Sequence, residues 1–101
     1  MAWKKSLNSL LYESAIEPQK LHLGEVRLLM HDALQECQGP ACERMRWRID
    51  GARAAQDLWL LRGDIFQLVS RQFCQEEAVR RVNALLPAFS GWLPERVLTR
   101  L

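Results

Sequence analysis

The sequence predicts an all-α fold: a single small bundle of four main helices plus a short C-terminal helix, with a long third helix (about 41–72) as its spine. Three observations predict it. Leu, Ala, Arg, Glu and Gln dominate the 101 residues and strand formers are few, and these are the side chains that lose little freedom in a helix. Apolar residues recur at helical spacing along most of the chain. Pro18, Gly39-Pro40, Pro87 and Gly91 with Pro94 fall between the periodic stretches and divide the chain into pieces. With 49% apolar and 26% charged residues the composition is ordinary for a globular protein, and a chain of this length closes one core. Residues 1–101 therefore read as one helical domain.

The first helix rests on Trp3, Leu7, Leu10 and Leu11, which lie at i, i+4, i+7 and i+8, with Lys4, Lys5, Asn8 and Ser9 on its wet side. The second runs from about His22 to Cys37, with Val26, Leu29, Met30, Ala33, Leu34 and Cys37 on one stripe. Gly39 stops it, and Pro40 suits the first turn of the next helix. From Ala41 to about Gln72 there is no proline. One apolar line joins Ala41, Met45, Ile49, Ala52, Ala55, Trp59, Phe66, Val69 and Phe73, and a second joins Trp47, Ala54, Leu58, Leu61, Ile65 and Leu68. Two adjacent stripes predict cover from more than one side. A straight helix of that span would be about 48 Å long, far beyond a compact domain with a radius of gyration of about 13 Å, so either it bends at Asp50-Gly51 or one end projects onto a second copy.

A fourth helix over 75–86 carries Ala78, Val82, Leu85 and Leu86, with Glu76–Arg80 and Glu77–Arg81 at i, i+4. Phe89 and Trp92 follow in a loop, and Pro94 opens the short last helix with Val97, Leu98 and Leu101 on its buried side. The expected packing sets the second helix antiparallel against the first half of the third, and folds the fourth back on its second half.

The tripeptide Arg62-Gly63-Asp64 has the composition of an adhesion signal, which requires an exposed turn. Here it stands between Leu60-Leu61 and Ile65-Phe66, and helical spacing continues through it. Arg62 and Asp64 then point about 200° apart and cannot act as one recognition unit. Both belong at a rim or in an ion pair with another helix, with Glu13 and Glu17 as candidate partners for Arg62. Gly63 is tolerable where it lets a second helix come close.

Net charge is +2, with Arg outnumbering Lys eleven to three. The densest basic segment, Arg44 to Arg53, contains Arg46, Trp47 and Arg48, but its charge is spread around the axis and diluted by Glu43 and Asp50. Nucleic-acid binding by this segment is the alternative functional reading. A helix-turn-helix over 75–100 does not fit, because the connection from Pro87 to Leu93 is too long and holds two aromatics.

Cys37 and Cys42 flank the Gly39-Pro40 connection, and Cys42 falls in a first helical turn, where free N–H groups favour thiolate. They are the redox candidates, set against plain buried thiols. No cofactor or metal is expected: the cysteine spacing is not that of a zinc site, and His22 and His31 sit on opposite faces of one helix. Nothing resembles a glycine-rich phosphate loop. Neither histidine has a nucleophile or carboxylate at a telling spacing beyond Glu25.

Four tryptophans stand at 3, 47, 59 and 92. Trp59 reads as core, whereas Trp3 near the terminus and Trp47 among arginines are hard to bury in a small monomer. Trp3, Trp47, Arg44 and Arg48 are accordingly the interface candidates, since Trp and Arg are enriched at interaction hot spots. The functional expectation is a non-enzymatic interaction or adaptor module that binds a protein partner or a second copy of itself. No signal peptide and no membrane span are expected, and three cysteines, an odd number, fit the reducing cytoplasm.

Overall fold

The computed structural model describes residues 21–101, and no β-strand forms among them. The helices are α1 (Leu23–Ala33), α2 (Pro40–Gly51), α3 (Ala55–Leu60), α4 (Arg62–Gln72) and α5 (Gln75–Asn83), followed by two short 3-10 turns, Leu86–Phe89 and Glu95–Val97. The chain is a small all-α bundle, as its periodicity predicts. The expected first helix, with Trp3, lies outside the described residues, as do Glu13 and Glu17.

His22 precedes α1 in extended conformation, and its backbone N–H donates to the Glu25 carboxylate at 3.0 Å, one half of a capping box. Val26, Met30 and Ala33 face the core. The helix is shorter than its sequence period: it ends at Ala33, and the chain turns through Glu36, whose φ is 67°. Leu34 and Cys37 remain buried beyond the helix end, which is why the stripe reads on to 37. Gly39 takes a φ of 106°, available to glycine at little cost, and Pro40 opens α2 as expected.

The continuous spine over 41–72 is corrected. Helical backbone stops at Gly51, Ala52 and Ala54 are extended (ψ 132° and 151°), and the helix resumes at Ala55. Of the two expected solutions to its excess length, the bend near Asp50-Gly51 is the one present. Arg27 holds the elbow, donating to the Ala52 carbonyl through Nε at 3.1 Å and Nη2 at 2.6 Å. Periodicity survives the break because Ala52 and Ala55 are both buried, so the main apolar line keeps its phase. The second line does not. Trp47 lies before the elbow and Leu58 after it, and Trp47 is 81% exposed while Leu58 is fully buried. At Leu61 the interruption is milder: its backbone stays right-handed helical (φ −79°, ψ −12°) between α3 and α4.

The expected packing is recognisable in pieces. α1 runs antiparallel to α2, since Arg46 reaches the carbonyl of Leu34, His31 meets Asp50, and Arg27 reaches Ala52. α5 folds back on α4 across the short connection Phe73-Cys74, and α2 and α4 also touch. The core is built by Val26, Met30, Leu34, Ile49, Leu58, Ile65, Val69, Val82 and Phe89, each fully or almost fully buried. Phe89 is no loop residue. It sits in the first 3-10 turn with its ring edge-on to Trp59, centroids 5.2 Å apart at 74°, a favoured aromatic geometry. Trp59 is core, as expected.

In α5 the ion pairing shifts by one partner. Glu77 binds Arg81 (Nε to Oε2, 2.6 Å) and also Arg80, in place of the expected Glu76–Arg80 pair. The short last helix is a single 3-10 turn. Val97 and Leu98 are half-buried against the core, but Leu101 is 53% exposed. Its backbone N–H donates to Asn83 Oδ1 at 2.8 Å, which gives that buried amide a partner. Trp92 is half-buried, and its indole N–H donates to the Leu21 carbonyl at 2.8 Å.

Among the described residues no helix comes close at Gly63: a Cβ built there meets none of their atoms within 4 Å. Because the position is helical and open, Gly63→Ala is expected to stabilise the protein by about 0.5–1 kcal/mol through reduced freedom of the unfolded chain. Urea unfolding at pH 7 measures it, and a destabilised variant would contradict the helical assignment.

Candidate functional site

The inward face of α2 is Cys42, Met45 and Ile49, all buried. At about 100° per residue, Trp47 falls on the opposite side of the helix. Arg46 and Asp50 flank it toward α1, and Arg44 and Arg48 flank it toward α4. The four arginines of this region therefore have different surroundings. Arg46 turns inward, its Nη2 donating to the carbonyls of Leu34 and Cys37 at 3.2 Å each and its Nη1 to Glu43 at 2.7 Å. Arg48 pairs with Asp64 on α4, Nη1 to Oδ2 at 3.1 Å, with both side chains more than half exposed. Arg44 and Arg53 are exposed.

The Arg62-Gly63-Asp64 tripeptide resolves accordingly. Asp64 takes a partner from another helix, Arg48, while the Arg62 guanidinium lies over the Trp59 ring at 3.9 Å. The two charges serve separate neighbours, as the helical spacing requires.

Between α2 and α4 runs an open groove of about 410 Å³. Ala41, Met45 and Leu68 form its floor, and Arg44, Arg48 and Arg71 stand around it with Asp64 and Gln67. Two of the sequence-derived interface candidates, Arg44 and Arg48, thus line one surface. Trp47 is beside that surface, one step further around α2, and does not line the groove. Arg71, Gln67 and Leu68 were not visible as site residues, because only the antiparallel contact of α2 with α4 brings them opposite Arg44.

Cys37 and Cys42 do converge. Both are buried, and they lie near enough for the Cys42 thiol to act on that of Cys37. Burial pushes the Cys37 thiol up, and the neighbouring Cys42 pushes it the same way, against a smaller pull from Arg81 and Arg46. A raised thiol is a poor nucleophile at neutral pH. The pair is also closed in: the Gln72 amide donates to Cys42 Sγ at 3.2 Å and to the Gln38 carbonyl at 2.6 Å, and accepts from the Gln38 N–H at 2.9 Å. Cys74 is exposed and accepts the Glu77 N–H at 3.4 Å at the start of α5.

The histidines are structural in their contacts: His22 begins α1, and His31 Nε2 lies 2.7 Å from Asp50 Oδ1 across the α1–α2 contact. Among the described residues no group of three or more His, Cys, Asp and Glu gathers to hold a metal ion. No helix among them is long and apolar enough to cross a membrane. Compared with known proteins, the chain matches no family model, no curated protein and no solved structure.

Proposed function

We propose that the protein is a non-enzymatic interaction module that engages a protein partner, or a second copy of itself, through the outer face of α2. The observation that carries this reading is Trp47, 81% exposed on a regular helix. Covering an indole contributes on the order of 2–3 kcal/mol, and a Trp flanked by arginines is the composition of an interaction hot spot. Within the segment 44–53, Arg46 is committed to backbone carbonyls and the charge of Arg48 is offset by Asp64. That leaves few guanidinium groups for phosphates and favours a protein partner over nucleic acid. Three free thiols, two of them buried, support a cytoplasmic setting.

Trp47→Ala is the test. Folding stability is expected to stay within about 0.5 kcal/mol of the native protein, because the ring faces water. Self-association measured by sedimentation, or retention of a partner in pull-downs, is expected to weaken about 30-fold, the equivalent of a hot spot of about 2 kcal/mol. Unchanged association, or a strict monomer that retains nothing, would overturn the reading.

A further inference from the structure

The groove between α2 and α4 has a charge pattern of its own. Arg44 and Arg71 have no carboxylate partner among the described residues, and Arg48 has only the exposed pair with Asp64. Exposed pairs of this kind are weak and exchange readily. Below the guanidinium groups lie Ala41 and half-buried Leu68, with Met45, almost wholly buried, directly behind them. A basic rim over an apolar floor selects an occupant with the complementary pattern, an apolar anchor bordered by carboxylates. The floor follows α2 from Ala41 to Arg48, about 10 Å at 1.5 Å per residue, which matches two turns of a helix laid along the seam of two others.

We propose that this groove seats an acidic amphipathic helix of a partner protein, with one large apolar side chain over Ala41 and Leu68 and carboxylates on Arg44 and Arg71. This rests on the interaction reading above and names the chemistry of the partner. Nucleic acid fits less well. An electrostatic interface with phosphates neutralises several of them, whereas here only two guanidinium groups lack a carboxylate partner among the described residues. The apolar floor would also stay uncovered.

The probes are a helical peptide of about 16 residues with a central leucine bordered by glutamates, its lysine-for-glutamate counterpart, and a single-stranded DNA of similar length; a peptide this long holds helix only marginally alone. They are titrated into the full chain while the methyl signals of Met45 and Leu68 are followed by NMR. The acidic peptide is expected to shift both signals, the lysine peptide to shift neither, and R44E/R71E to bind the acidic peptide at least about tenfold more weakly with its helical content unchanged, since both side chains are at the surface. DNA binding as tight as the acidic peptide, with a steep salt dependence, would overturn the proposal. So would an acidic peptide that leaves both methyls unmoved, or one that binds R44E/R71E equally well. If Trp47→Ala loses a partner while the methyls stay still, the acidic-helix proposal falls and the interaction reading stands. If Trp47→Ala changes nothing while the methyls respond, the Trp47 reading falls and the groove keeps its ligand.

Discussion

Phe89→Ala is expected to remove about 3–5 kcal/mol of folding stability, the usual cost of deleting a buried aromatic ring. The ring is fully buried and meets Trp59 edge-on at 5.2 Å, so its loss opens a void against α1 and α3 and also forfeits an aromatic contact. A domain of this length has a total stability of about 5–15 kcal/mol, and the change should lower the melting temperature by about 15–30 °C. Calorimetry and urea unfolding measure it. Phe89→Leu keeps most of the volume and should lose less, about 1–1.5 kcal/mol. A loss below about 1 kcal/mol for the alanine variant would mean that residues 86–98 are not docked on the helices.

Arg81→Met is the second large effect, about 2–4 kcal/mol of destabilisation. The Arg81 side chain is only 11% exposed, donates to the carbonyls of Ala33 (3.2 Å) and Gln35 (2.7 Å), and lies over the Phe73 ring at 4.7 Å. The methionine keeps some of the aliphatic packing but leaves the end of α1 without those donors, and the unmade bond to the part-buried Ala33 carbonyl is expensive. The variant also changes pH dependence. Hydrogen bonds from Arg80 and then Arg81 hold the Glu77 carboxyl down at about 2, from an ordinary 4.5. A depressed carboxyl contributes stability that is complete above about 4.5 and is lost as pH falls toward about 2. In the native protein this window should therefore show an acid-induced loss, and Arg81→Met should reduce it by removing one of the two guanidinium partners. Equal slopes for the two proteins between those pH values would dismiss the coupling.

The first of these effects sits where the sequence was hardest to read. Local period located α1, α2 and α5 because each buries one continuous stripe, and the stop at Gly39-Pro40 was legible from the demands of the backbone alone. The elbow at 52–54 was not, since buried alanines at 52 and 55 continue the apolar line whether the chain is helical or extended. What decides it is Arg27, 25 positions before Ala52, and no local pattern contains that contact. The candidate site divides in the same way. Trp47, Arg44 and Arg48 stand out by composition, whereas Arg71 and the apolar floor become part of the site only through the crossing of α2 with α4. Prolines and glycines around Phe89 make the segment read as a loop, and they do break the helix there, without preventing a turn from carrying the ring inward.

The abundance of arginine has a consequence for how the chain can vary over time. Arg27, Arg46 and Arg81 each bring a guanidinium to the backbone where a helix ends, Arg27 grasping one carbonyl with two nitrogens, and Arg46 and Arg81 each spanning two carbonyls with one nitrogen while a second nitrogen holds Glu43 or Glu77. A lysine has a single ammonium and cannot reproduce that planar grip. Drift from arginine to lysine should be harmless at Arg53 or Arg96 and damaging at these three sites, so the like-for-like exchange that surfaces normally absorb is closed to the joints of this fold.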